Sequence, residues 1–440
     1  MLIYFFMLAG VIAAGIPLCS KKCGRSGRII FCIAAAIVFA VISAMRFQVG
    51  YDYNLYGGTY FNMKYLTLEE IGGNKMEKGF LLPFYVLNLA YEEYYVIFIV
   101  TSIVIYSAVF YLICKNSTNP WISTAAFLCF GIFFNSLCFL RQFTAALLVT
   151  YAVQYISGKN MWRFFVLVFA AACFHWSALL MLGMWLLLKI KPCKIYLAVV
   201  AVGTIIFCFI SRTLMYWAID NFYMYKGYDP ATNVEAAEGL PVQYTVMFGI
   251  LFILSFIFRK RLIEKNAANS IYINCLMYTV VFEAMGTRHG ILSRFALIVY
   301  LPPILYLIPE LVTVIKEYIS ETLELKQTRR RVMTVISACA GSVFAAGCYT
   351  MLILCNYNGV VPYVSQFNRP TDIFVEQVIE EDDEENWDDV DWDEEGYIDE
   401  EWEDEEWIDD WDDEEWDSEE WSDDEFDEEA FEEDILSQLT

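Results

Sequence analysis

FFVLVFAAACFHWSALLMLGMWLLL, residues 164–188, is an apolar run long enough to cross a bilayer, with a histidine near its middle. Similar runs recur along a 440-residue chain that is 58% hydrophobic. They predict an all-α polytopic membrane protein, because a hydrocarbon core of ~30 Å is crossed by ~20 helical residues. Candidate helices fall at 1–19, 29–45, 94–114, 121–139, 141–157, 195–211, 242–258, 270–288, 293–309 and 332–354. How 164–188 is read decides the topology. Lys and Arg gather in the linkers 20–28, 157–163, 189–194, 259–266 and 316–331, and such linkers belong on the cytoplasmic side. A single crossing at 164–188 would put the last three of these outside. Two half-helices that bend at His175 and return keep all five inside. The expected arrangement is therefore N-terminus outside, ten full crossings, one re-entrant hairpin and C-terminus outside. Irregular backbone at membrane depth is tolerated where protein or a wet cavity surrounds it, so the bend itself marks a candidate site.

The formal net charge of −26 averages two unlike regions. From Asp372 onward there are 39 acids and no Lys or Arg, which leaves 16 acids against 29 bases in the rest. A multi-pass domain over 1–355, a linker over 356–371 and an acidic tail over 372–440 are expected. In the tail an aromatic recurs mostly every fifth residue (Trp387, Trp392, Tyr397, Trp402, Trp407). That period fits neither a helix nor a strand face, and like-charge repulsion predicts a disordered, solvated segment. A basic partner, divalent cations or sugar rings are its alternative ligands. The 13 cysteines lie mostly inside apolar runs, which argues against a disulfide framework. The first run lacks a basic n-region and reads as a retained span. No metal motif, nucleotide loop, cofactor or nucleic-acid partner is expected.

Where the second span ends, the chain reads MRFQVGYDYNLYGGTYF, residues 45–61. A charge at a membrane boundary needs a partner or a task. Arg46, Asp52, Tyr51, Tyr53 and Tyr56 together suggest a pocket for a charged, hydroxyl-rich ligand such as a sugar phosphate. On the expected topology 46–93 and 212–241 are outward-facing loops, and Arg141, Arg288 and Arg294 join Arg46 on the same side. A guanidinium fork suits phosphate; helix-end anchoring is the alternative for each arginine. His175 is either a base or phosphate donor or a structural, hydrogen-bonded histidine. Asp52 is the best outward carboxylate for general-base work, with a salt bridge to Arg46 as its structural alternative. Glu77 and Asp220 are weaker acids of the same kind.

Five blocks resemble the EpsG family of bacterial exopolysaccharide polymerases, related in role to the Wzy polymerases. They are RFQVGYDYNLY (Arg46–Tyr56), EKGF (Glu77–Phe80), FLRQFTAALLV (Phe139–Val149), FHWSALLML (Phe174–Leu182) and SRFALIVY (Ser293–Tyr300). Where the family often carries proline after the histidine, this chain has Trp176, and the tail lies outside the resemblance. The resemblance implies a metal-independent, GT-C-like glycosyltransferase in the bacterial cell membrane. Its substrates would be undecaprenyl-diphosphate-linked oligosaccharides at the outer face, and a flippase and chain-length regulator would be possible partners. Carried over by position, it places Arg46, Asp52, Arg141 and His175 at the site.

The expected chemistry is attack by a hydroxyl of one lipid-linked repeat unit on the anomeric carbon of another. Asp52 or His175 would take the proton, while Arg46, Arg141, Arg288 and Arg294 would hold the diphosphate. Tyr51, Tyr53, Tyr56, Glu77 and Gln142 would contact sugar. Two other functions fit a membrane protein of this kind. A flippase for lipid-linked saccharides would favour internal repeats, which the sequence lacks. A membrane O-acyltransferase would lean on His175 and leave Arg46 and Asp52 dispensable.

Overall fold

The computed structural model describes residues 1–74, 76–158, 160–221, 242–322 and 327–368. The acidic tail and most of the 212–241 loop, including the Asp220 side chain, lie outside the described residues. Within them the chain is helical without strands. In order come α1 (Leu2–Leu18), α2 (Gly24–Ala44), α3 (Tyr53–Asn62), α4 (Leu68–Gly73), α5 (Lys78–Asn88), α6 (Val96–Asn116), α7 (Pro120–Cys129), α8 (Ile132–Cys138) and α9 (Leu140–Ala152). There follow α10 (Trp162–Ala172), α11 (Leu180–Lys189), α12 (Lys194–Asn221), α13 (Gln243–Ile257), α14 (Arg259–Lys265), α15 (Asn269–Gly286), α16 (Ala296–Val299), α17 (Ile308–Thr322) and α18 (Gln327–Leu354).

Among the described residues four helices are long and apolar enough to span a bilayer: Gly24–Ala44, Val96–Asn116, Lys194–Ser211 and Arg331–Leu354. Two bent pairs, Pro120–Cys129 with Ile132–Cys138 at 63° and Leu292–Val299 with Pro303–Glu321 at 45°, raise this to six. Leu2–Leu18, Trp162–Ala172, Trp176–Lys189 and Gln243–Ile257 are apolar helices shorter than a full span. Local chemistry explains the breaks. Gly131 takes a left-handed φ of 74° between α7 and α8. Pro302 and Pro303 have no N–H to donate, and the helix loosens there into a π turn at Pro303–Leu307. Exposed Ile33, Ile37, Ile205 and Phe209 on α2 and α12 present the apolar surface that a bilayer covers.

Side-chain bonds tie the basic linkers to one end of the bundle. Arg28 on α2 donates to Ser117 O beyond α6, and Asn116 reaches the Tyr306 hydroxyl at 3.3 Å. The Tyr306 ring meets Tyr272 of α15, and Asn274 of α15 donates to the Leu188 and Ile190 carbonyls at 3.1 and 2.6 Å. Lys265 pairs with Glu317 at 2.6 Å and Arg261 with Glu321 at 2.9 Å. At the opposite end the Tyr4 hydroxyl donates to Val360 O at 2.7 Å. There the stretch 45–51 lies antiparallel to 358–366: Phe47 N–H reaches Val364 O, Gln366 N–H reaches Met45 O and Gly50 N–H reaches Gly359 O, at 2.8–3.0 Å. Gly50 has φ +99°, and a Cβ there would sit 2.9 Å from Cys138 Sγ. This end carries the residues singled out from the sequence.

Residues 164–188 do not form one straight helix. α10 and the second arm, a 3-10 turn at Trp176–Leu179 running into α11, fold against each other. Phe165 and Trp185 meet at 5.5 Å between ring centroids, and Lys189 Nζ lies 3.6 Å from Met161 Sδ. The hairpin thus begins and ends at the basic end, with His175 at the tip.

Candidate functional site

The hairpin tip leaves backbone groups that no helix satisfies, and its neighbours supply them. His175 is extended, with φ −161° and ψ 125°, and its Nδ1 accepts the Ser177 N–H at 3.2 Å. Glu77 Oε1 accepts the Trp176 N–H at 3.2 Å. Cys173 O accepts the Gly79 N–H at 2.9 Å. The strap Glu77–Lys78–Gly79 therefore fastens both sides of the tip. Trp176 has an N–H to give Glu77; a proline at this position would not.

Glu77 also accepts from Arg141 Nη1, and the carboxylate side chain of this pair is 6% exposed. Arg141 is the second residue of α9, two after the Phe139 kink, so the bent chain at 138–140 aims its guanidinium at the strap. Gln142 beside it donates to Arg294 O at 2.7 Å and to Ser177 Oγ at 3.3 Å. Ser177 Oγ lies 2.7 Å from His175 Nδ1. Because Nδ1 accepts a backbone N–H, the neutral ring carries its proton on Nε2. The Tyr56 phenol stands against the Arg141 guanidinium. Arg294 lies over the Phe139 ring at 5.2 Å.

Asp52 is half-buried just before α3 and makes no ion pair or hydrogen bond to any described side chain. Burial raises its pKa above the usual carboxylate value, and the facing cations Arg294 and Arg141 work against that rise. A carboxylate opposite two guanidiniums, with a histidine and a serine hydroxyl nearby, can accept a proton beside a site for an anion. Among the described residues no three His, Cys, Asp or Glu side chains converge as metal ligands.

The structure thus gathers Asp52, Tyr56, Glu77, Arg141, Gln142, His175 and Arg294. The other candidates stand apart. Arg46 is completely buried and donates to Ser43 O at 2.6 Å, Ser43 Oγ at 2.8 Å and Leu137 O at 3.1 Å, over the Phe98 ring at 4.7 Å. It joins α2, α6 and α8 and does not pair with Asp52. Tyr53 is stacked on Phe98 at 4.1 Å inside the core, its hydroxyl accepting from Gln366 Nε2 at 2.9 Å. Tyr51 is 72% exposed, with its ring over Gly359. Arg288 is exposed on the side of Cys208 in α12. Ser177 was legible only as a neighbour of His175. Glu283, a buried carboxylate on α15, had a sequence signal in its placement inside the apolar run YTVVFEAMG, because an ionisable residue at membrane depth is a candidate by default.

Two expected results follow from these placements. Arg46→Ala strands two buried carbonyls and opens a cavity, so thermal unfolding in detergent should show a loss of about 3 kcal/mol. A Cβ at Gly79 would sit 2.4 Å from Cys173 O, so Gly79→Ala lifts the strap off the tip. It should cost about 1–3 kcal/mol in the same assay and draw Glu77 away from Trp176.

These features define a multi-pass α-helical membrane protein with a charged, hydrogen-bonded cluster at the bundle end opposite its basic loops. The EpsG family model matches residues 29–363, most of the chain, and the protein belongs to the EpsG family. Comparison with curated proteins and with solved structures gave no match. Membership makes it a polysaccharide polymerase of exopolysaccharide biosynthesis, glycosyltransferase-like in general character and acting on a lipid-linked saccharide.

Proposed function

We propose that this protein joins undecaprenyl-diphosphate-linked oligosaccharide repeat units into an extracellular or capsular polysaccharide at the outer face of the cytoplasmic membrane. The observation that carries this reading is the cluster of Asp52 with Arg141 and Arg294, at the end opposite the basic loops. Basic loops stay cytoplasmic, so the cluster faces outward, as do the N-terminus and the chain at 355–366. Ten crossings and a re-entrant 164–188 hairpin then account for the helices, with the short and broken ones counted as crossings. The acidic tail departs on the outer side.

A hydroxyl of the acceptor repeat unit attacks the anomeric carbon of the donor. The new glycosidic C–O bond forms as the bond from that carbon to the lipid diphosphate breaks. Asp52 takes the hydroxyl proton. Arg141 and Arg294 stabilise the charge gathering on the leaving diphosphate, where fixed cations act without reorganising. The His175 Nε2–H is a further donor to that charge, which favours a donor role over a base role for the ring. Tyr51, Tyr56 and Gln142 contact the sugars, and Glu77 holds Arg141 in place. Arg46 and Tyr53 support the site from behind.

The test uses purified protein in detergent, a synthetic undecaprenyl-diphosphate repeat unit, no nucleotide sugar and EDTA throughout. A mass ladder of repeat-unit multiples with released lipid diphosphate is expected. Bound but intact substrate would discard the polymerase reading in favour of transport or acylation.

A further inference from the structure

A cavity of about 850 Å³ opens at the basic end, between the α1–α2 turn and the end of α6. Lys21, Arg25, Arg28 and Lys115 line it, and no Asp or Glu does. Two other cations at this end, Arg261 and Lys265, have acid partners. Two of the four cavity cations are held in place. Arg28 donates to Ser117 O. Lys115 reaches the Tyr111 hydroxyl at 3.4 Å and lies 5.1 Å from the Tyr151 ring centroid. Lys21 and Arg25 are exposed and form no hydrogen bond or ion pair with described residues.

We propose that this cavity binds the phosphate-bearing headgroup of an anionic membrane lipid in the leaflet opposite the Asp52 cluster. Four like charges around one hollow repel one another unless an anion sits among them. Phosphate could come from a lipid or from solution, and the walls favour the lipid. Ile29 lines the cavity, and Ile33 and Ile37 continue from it along α2 at intervals of four, all on one exposed face. Tyr111 is exposed on the facing side of α6. An acyl chain leaving the headgroup meets that apolar stripe directly, whereas free phosphate would leave it bare. Basic pockets between helices on the cytoplasmic side are suited to such headgroups. The site is separate from the polymerase cluster and does not depend on which sugar chemistry occurs there.

The full-length protein, purified in detergent, is titrated with cardiolipin, phosphatidylglycerol, phosphatidylethanolamine and inorganic diphosphate. Native mass spectrometry reads the bound molecules, and thermal unfolding is followed in parallel. The two anionic lipids should stay bound and raise the unfolding midpoint, while the other two should not. A Lys21→Gln, Arg25→Gln, Lys115→Gln variant keeps the Arg28–Ser117 bond and should bind anionic lipid about a hundredfold more weakly. A Lys191→Gln, Lys194→Gln, Lys260→Gln variant removes equal charge from the same end and should bind like the parent. Equal weakening in both variants would mean diffuse surface attraction and overturn the site. So would phosphatidylethanolamine binding as tightly as the anionic lipids. Inorganic diphosphate binding as tightly as cardiolipin would make it a soluble-anion site and overturn the lipid assignment.

Discussion

Arg141→Ala should abolish the polymer ladder. Removing a fixed charge that acts on the leaving group costs about 10²–10³ in rate. The same change leaves Glu77 buried without its cation, and losing one member of a buried pair costs about 3–5 kcal/mol of stability. The two effects separate in a second variant. Arg141→Gln with Glu77→Gln removes both charges, keeps a carbonyl oxygen for the Trp176 N–H, and should recover most of the lost stability. It should remain inactive, because no cation stands at the diphosphate. A double variant that unfolds like the parent and polymerises within about threefold of it would show that Arg141 serves only the fold. Glu77→Gln alone should retain reduced activity, since Arg141 survives but is no longer anchored.

Asp52→Asn should remove about 10²–10⁴ of the rate, the usual worth of a positioned general base. The pH dependence gives a sharper signature. Burial favours the protonated form of Asp52, so its carboxyl titrates above the ordinary range. Activity that needs the carboxylate rises as pH climbs through that raised value. Arg294→Gln removes a cation that holds the value down, so the acidic limb should move to higher pH. In Asp52→Asn the limb should disappear from whatever activity remains. Its persistence there would assign the proton to another group, His175 first. The stability effect has the opposite sense. A raised folded-state pKa contributes stability below the unfolded value of ~3.9 and loses it as pH rises through the folded value. Asp52→Asn should therefore unfold at a higher temperature than the parent near neutral pH while making less polymer. A group kept for function at a cost to the fold behaves this way.

The hairpin was open to sequence reasoning because its cause is long-range and simple. Five basic linkers can share one side of a membrane only if 164–188 returns to where it began, and the contact of Lys189 with Met161 shows the two arms doing so. The helix breaks at Gly131 and at Pro302–Pro303 are also written in residue type, yet hydropathy averages across them and hides them. As a result, only four to six described segments pass as spans by length and composition.

By itself, the sequence determined that this chain is helical, lives in a membrane, gathers its basic residues in a few linkers and carries the family blocks. Apolar length, charge sign and residue order are all readable along one dimension. Tertiary structure alone decided which charges meet. Glu77 and Arg141 are 64 residues apart, and no periodicity links them. Arg46 and Asp52 are near neighbours in sequence, yet one is sealed beneath 358–366 and bonded to carbonyls, and the other faces two guanidiniums. The 356–368 stretch carries no amphipathic signal, because it is held by backbone hydrogen bonds to 45–51 and those depend on position rather than side-chain type. A buried ion needs every remaining donor and acceptor placed around it within hydrogen-bonding distance, and only the packed helices set those distances.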